Sequence, residues 1–192
     1  MRKRSLIALV VLLCGLCMVA YPGFQLLEAR QIFYEADLSY EALRQQVITE
    51  PPGSFEEPLV EQRIDFEALR AVNDDAVAWL YSPGTMIDYP IVKASEYNYY
   101  LFHLLDHSYN INGTLFIDYN NAPDLSERLT VVYGHHMNSD MMFTSLMGYK
   151  DQSYYEEHPF MYLYTETGIY RLDLLYGCVI AAGEWREKAF MF

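Results

Sequence analysis

Leu129-Thr130-Val131-Val132-Tyr133-Gly134-His135-His136-Met137 reads as a buried strand over 129–133 that stops at a glycine and delivers a histidine at its end. Gly134 can take backbone angles closed to other residues and lets another segment approach closely. A histidine in that place stands on the rim of a rigid sheet, where catalytic side chains are commonly mounted. It titrates in the range that suits proton transfer near neutral pH. The same spacing also fits a structural, hydrogen-bonded histidine, so the flanking sequence has to decide.

The chain has 192 residues, room for one domain and an appendage. Hydrophobic residues make up 52%, and 18 tyrosines and 10 phenylalanines, together with valine and isoleucine, favour a β-rich core. The net charge is −13, with a pI near 4.6. Little basic surface is left to neutralise phosphates, which argues against a nucleic-acid partner. The acidity itself describes a solvated surface and identifies no partner. Three cysteines are too few for a disulfide framework or a zinc ribbon. Cys14 and Cys17 fall inside the apolar N-terminal run, where their C-x-x-C spacing is read as chance. Cys178 is the only cysteine of the soluble part.

Arg2-Lys3-Arg4 forms a basic cytoplasmic end, residues 1–4, and an apolar run over 6–21 follows, closed by Pro22-Gly23. The positive cluster should stay inside and the rest be exported. The run is short for a spanning helix and slightly long for a cleavable signal core. It lacks a small-x-small cleavage site, so residues 5–24 are read as an uncleaved transmembrane anchor. Residues 25–58 are read as a stalk helix and a Pro-rich linker. The linker is Glu50-Pro51-Pro52-Gly53-Ser54-Phe55-Glu56-Glu57-Pro58, whose prolines and glycine forbid regular structure. Residues 59–192 form the remaining domain.

Within it, 65–72 spaces apolar residues as a short amphipathic helix does. Strands are expected over 77–81, 86–92, 113–118 and 129–133. Ser82-Pro83-Gly84-Thr85 turns between the first two. Pro90 has no N–H to donate, so its strand is expected at an edge or at a bulge. Short helices are expected over 96–105, 141–147 and 152–157. A hairpin is expected from 160–164 through Glu166-Thr167-Gly168 to 169–182. Short strands at regular intervals with few helices make the domain mainly β, a barrel or sandwich.

The order of motifs resembles that of the class B sortases, membrane-anchored cysteine transpeptidases of Gram-positive bacteria. The matching pieces are Trp79-Leu80 with Pro83-Gly84-Thr85, then Ile87-Asp88-Tyr89-Pro90-Ile91-Val92. Asn98-Tyr99-Tyr100-Leu101 with His103 follows, then Gly113-Thr114-Leu115-Phe116-Ile117-Asp118-Tyr119. The last is Tyr133-Gly134-His135-His136-Met137, with Met142-Phe143 and Leu146 behind it. The resemblance covers roughly residues 60–185. It implies an eight-stranded sortase barrel and a Cys–His–Arg site needing no cofactor or metal. The cysteine cleaves a C-terminal sorting-signal peptide, and an amine of the cell-wall precursor resolves the thioester. By that match His135 is the acid and base. His136 stands where the motif usually carries asparagine, and it has no catalytic duty, since adjacent strand residues face opposite sides.

The family's cysteine and arginine come on later strands, and no T-x-x-C segment occurs in these 192 residues. The resemblance therefore implies a sortase-type barrel incomplete at the C-terminus, inactive as given. Cys178 lies in an apolar run without cationic neighbours and is expected to be buried and unreactive. Arg171 and Arg186 do not match the family arginine by order. Two rivals stay open. His103-Leu104-Leu105-Asp106-His107 would place two histidines on one helix face, as zinc hydrolases do, though without the glutamate of H-E-x-x-H. A membrane-tethered, non-catalytic sortase relic that binds a peptide or protein by strand addition is the other.

Overall fold

The computed structural model describes residues 2–49, 64–96, 98–137 and 141–179. The linker read over 50–58 lies outside them, as do Arg186 and the expected far end of the hairpin.

The N-terminal helix α1, Arg2–Val47, runs unbroken for 46 residues with Pro22 inside it. Proline forfeits one backbone bond, yet the helix runs on through it and the following Gly23. The helix is long and apolar enough to cross a membrane, and the described side chains of its first half are exposed. The stretch read as a stalk behaves differently. Ala36, Tyr40, Leu43 and Val47 recur at helical spacing and are buried in the hydrophobic core. The N–H of Asp65 reaches the carbonyl of Val47 at 2.8 Å, and Ile48 bridges Ile64. The docked half of α1 is thus a wall of the domain rather than a spacer beneath it.

Helix α2, Phe66–Val72, starts at Asp65, whose carboxylate accepts the N–H of Ala68 at 2.9 Å. Six strands follow: β1 Ala76–Tyr81, β2 Asp88–Val92, β3 Leu115–Ile117, β4 Val132–Tyr133, β5 Phe160–Thr165 and β6 Gly168–Asp173. They form one curled sheet in the order β4-β3-β2-β1-β5-β6, antiparallel except between β2 and β3. Trp79, Ile87, Ile91, Val92, Leu115 and Ile117 are buried in the hydrophobic core. Helix α3, Gln152–Glu157, precedes the β5–β6 hairpin.

Three local expectations change. Pro90 sits on an internal strand, not at an edge. It is tolerated because pairing on the β3 side begins only at Ile91 opposite Leu115. The β1–β2 register slips between Ala76 and Ala78, so the expected irregularity falls on the neighbouring strand. The helix expected over 96–105 shrinks to a single 3-10 turn, Tyr99–Leu101. Carbonyls that a longer helix would use go elsewhere: Tyr100 accepts the N–H of Thr114 at 2.9 Å and Phe102 that of Asn110 at 2.9 Å. The strand expected over 129–133 is ordered as a ladder only at Val132–Tyr133 and is half-buried. Asn121 takes over the rest, its side chain accepting from the N–H of Val131 and donating to the carbonyl of Leu129, both at 2.8 Å.

Candidate functional site around His135

Gly134 is required by close approach. A side-chain carbon there would overlap the Leu115 side chain and stand 2.6 Å from the Phe143 ring. The chain past it is pinned to the returning segment. The His135 carbonyl accepts the N–H of Phe143 at 2.9 Å, and His136 bridges Met142. The Thr144 hydroxyl accepts from the Met137 N–H at 2.9 Å and donates to the Met137 carbonyl at 3.0 Å. His135 is half-buried and His136 exposed, as alternation along an extended chain demands.

The ring of His135 is fixed through Nε2, which lies 2.7 Å from the carbonyl oxygen of Leu101. A carbonyl can only accept, so Nε2 carries the proton and Nδ1 holds the lone pair. No other hydrogen bond to this ring occurs among the described residues. Phe102 flanks it with ring centroids 6.2 Å apart. Such an imidazole can take a proton at Nδ1 while keeping its bond to Leu101, the arrangement in which a histidine activates a thiol or hydroxyl.

The carboxylate of Asp118, at the end of β3, accepts the Tyr133 hydroxyl at 2.7 Å and the Asn120 N–H at 2.8 Å. Burial alone would raise its pKa, but those donors, the Asn120 amide and the Lys93 ammonium outweigh it and hold it below the ordinary value. Lys93 in turn donates to the carbonyls of Asp118, Tyr119 and Asn121. The rim beside β4 is thereby anchored.

The other sequence candidates lie apart. Cys178 is exposed, not buried. Strand β6 ends at Asp173, and 174–179 has no regular structure. β6 pairs only with β5 among the described residues, so no neighbouring strand extends a ladder over the apolar run after it. Cys178 lines a surface pocket with Leu146, Met147, Tyr149, Leu174 and Tyr176. Arg171 is exposed, bonds Asp173 at 2.8 Å and lies over the Phe160 ring. The two histidines of the metal reading share no helix. His103 stacks on Tyr99 with centroids 4.0 Å apart and bonds the Tyr99 carbonyl through Nδ1 at 2.8 Å. His107 has a positive φ and faces the Tyr99 hydroxyl through its own Nδ1 at 3.3 Å. No group of three or more metal-ligating side chains occurs among the described residues.

Sequence reasoning missed the Leu101 carbonyl, because a backbone acceptor leaves no residue-type signal. It also missed Tyr40, although the spacing Ala36, Tyr40, Leu43, Val47 already marks a face that wants covering.

No protein-family model matches the sequence. The chain is 26% identical over 176 residues to sortase B of Staphylococcus aureus, covering 91% of this chain and 69% of that protein. It is 35% identical over 99 residues to sortase B of Listeria monocytogenes, covering 52% of this chain and 40% of that one. The crystal structure of sortase B from B. anthracis in complex with AAEK1 superposes with a TM-score of 0.65 at 27% identity, over 84% of this chain and 78% of that one. The chain is similar to class B sortases in sequence and in fold. As in those similar structures, the domain here is a mainly β, curled sheet with short helices. The sortase relatives imply a cysteine transpeptidase.

Proposed function

We propose that this chain carries the histidine-bearing half of a sortase transpeptidation site, tethered to the cell membrane by residues 5–24 with the domain outside. His135 is the proton carrier. Its Nδ1 takes the proton of the nucleophilic cysteine and returns it to the leaving amine. The substrate class is the sorting-signal peptide of a secreted protein, and the acceptor is a cell-wall precursor amine. Similar solved structures include a sortase B complexed with triglycine and a Staphylococcus aureus sortase B–substrate complex, which supports both substrate classes. The observation that carries the reading is the Nε2 bond of His135 to Leu101, which leaves Nδ1 for the reaction.

Residues 1–192 do not transpeptidate by themselves on this reading, since Cys178 lines a surface pocket whose lining does not include His135 and Arg171 is engaged by Asp173. The test has two arms. Residues 1–192 and the Cys178→Ala variant, each incubated with a sorting-signal peptide, should release no amine above buffer. A fusion of this chain to the C-terminal strands of the Staphylococcus aureus relative should cleave the peptide, and His135→Ala in that fusion should lower kcat/KM by about 100-fold or more. Cleavage dependent on Cys178, or a fusion indifferent to His135, would overturn the proposal.

A further inference from the structure

The docked half of α1 reaches the histidine through a short chain of bonds. The Tyr40 hydroxyl is buried, donates to the Gly113 carbonyl at 2.6 Å and meets the Thr114 hydroxyl at 3.0 Å. Thr114 grips the segment below it at two points. Its N–H bonds the carbonyl of Tyr100 at 2.9 Å, and its hydroxyl reaches the carbonyl of His103 at 3.0 Å. Leu101 lies between those two anchored carbonyls, and its own carbonyl is the one that holds His135.

The fit is tight. Gly113 has φ +61, and a side-chain carbon on it would overlap the Tyr100 carbonyl and stand 2.8 Å from that of Leu101. A second tie runs alongside. Asn110 donates its side-chain amide to the carbonyl of Ile32 on α1 at 3.0 Å and its N–H to the carbonyl of Phe102 at 2.9 Å. Removing the Tyr40 hydroxyl would leave a buried carbonyl unpaired and free the 113–114 segment to move. A histidine held by one acceptor is sensitive to such shifts, because site geometry must be kept within about 0.5 Å.

We propose that Tyr40 is a positioning residue for His135: through Gly113 and Thr114, the membrane-facing helix sets the Leu101 carbonyl that selects the histidine's tautomer. The proposal rests on the reading of His135 as the proton carrier for its meaning in catalysis, but its geometry can be tested without activity.

The experiment is nitrogen-15 NMR of ring-labelled histidines in residues 1–192, held in detergent micelles, with His135 assigned through His135→Gln. Wild type should hold His135 in the Nε2–H form. Tyr40→Phe keeps the ring and removes the hydroxyl. It should lower the ratio of Nε2–H to Nδ1–H forms by about fivefold. The ring signals of His158 should stay in place. Thr114→Val should act in the same direction, and it stands in if Tyr40→Phe fails to fold. Tyr99→Phe is the control, since it removes a hydroxyl from the same 3-10 turn that faces His107 instead. His135 should ignore it.

Unchanged His135 signals in folded Tyr40→Phe would overturn the proposal, as would an equal response to Tyr99→Phe. In the active fusion, Tyr40→Phe should shift the pH–rate profile rather than scale it uniformly. If the tautomer moves but His135→Ala leaves the fusion active, the functional reading fails and the positioning stands. If His135 is essential and Tyr40→Phe leaves ring and profile unmoved, the reverse holds.

Discussion

At the scale of single residues, Asp88 is a charge placed where water is scarce. Its carboxylate accepts the Trp79 indole N–H at 2.7 Å, and the guanidinium of Arg44 stands 3.9 Å away, itself shared with Glu41. Burial pushes the pKa of Asp88 up, and the Trp79 bond and Arg44 only partly offset that rise. A raised folded-state pKa means that the folded form binds the proton more tightly than the unfolded form. The resulting penalty is absent below the unfolded value, grows as pH climbs through the carboxylate range and is complete above the folded value. Asp88→Asn keeps an acceptor for Trp79 and cannot ionise. Its stability relative to wild type should therefore rise with pH across that window and level off towards neutrality. Urea titrations of both proteins at several pH values measure this, and a difference that falls with rising pH would refute it.

At the scale of elements, legibility in the sequence followed the locality of the forces. Helix α2 was readable because its cap, Asp65, is three residues from the N–H it accepts. The Ser82–Thr85 turn and the β5–β6 hairpin were readable for the same reason: glycine at Gly84 and Gly168 supplies backbone angles the turns need. The His135 motif was readable as a motif, yet its strand proved short, since Asn121, ten residues away, supplies the bonds a ladder would have made. The 96–105 segment misled because competition for its carbonyls comes from Asn110 and Thr114, beyond any helical window. The stalk misled most, because a polar, helix-friendly composition hides a single buried stripe. That correction has a direct consequence. Deleting residues 1–30 should leave a cooperatively folding domain, since the described contacts of α1 with the core start at Ile32. Deleting 1–48 strips Ala36, Tyr40, Leu43 and Val47 from the core and should abolish cooperative unfolding. Thermal melts followed by circular dichroism distinguish the two, and equal melts would restore the spacer reading.

At the scale of the molecule, the sheet is open among the described residues, with β4 and β6 at its two margins. β6 is the more demanding margin. Ile169, Tyr170 and Leu172 are 41%, 50% and 40% exposed, a density of apolar surface unusual for a free edge. Its ladder with β5 uses one side of the strand, from Gly168 opposite Thr165 to Asp173 opposite Phe160. Among the described residues, the amides along β6 that point away from β5 have no ladder to enter. In residues 1–192 those amides should exchange with solvent at rates set by local opening, while the inward ones are protected to the stability of the hairpin. A strand that adds to β6 must slow the outward set and leave the inward set nearly unchanged. Supplying the C-terminal strands of a sortase B relative as a separate peptide should produce that alternating protection, and a sorting-signal peptide alone should not. If the sorting-signal peptide protects the outward amides instead, β6 is a peptide-binding edge, and the tethered binding module becomes the better account of the chain.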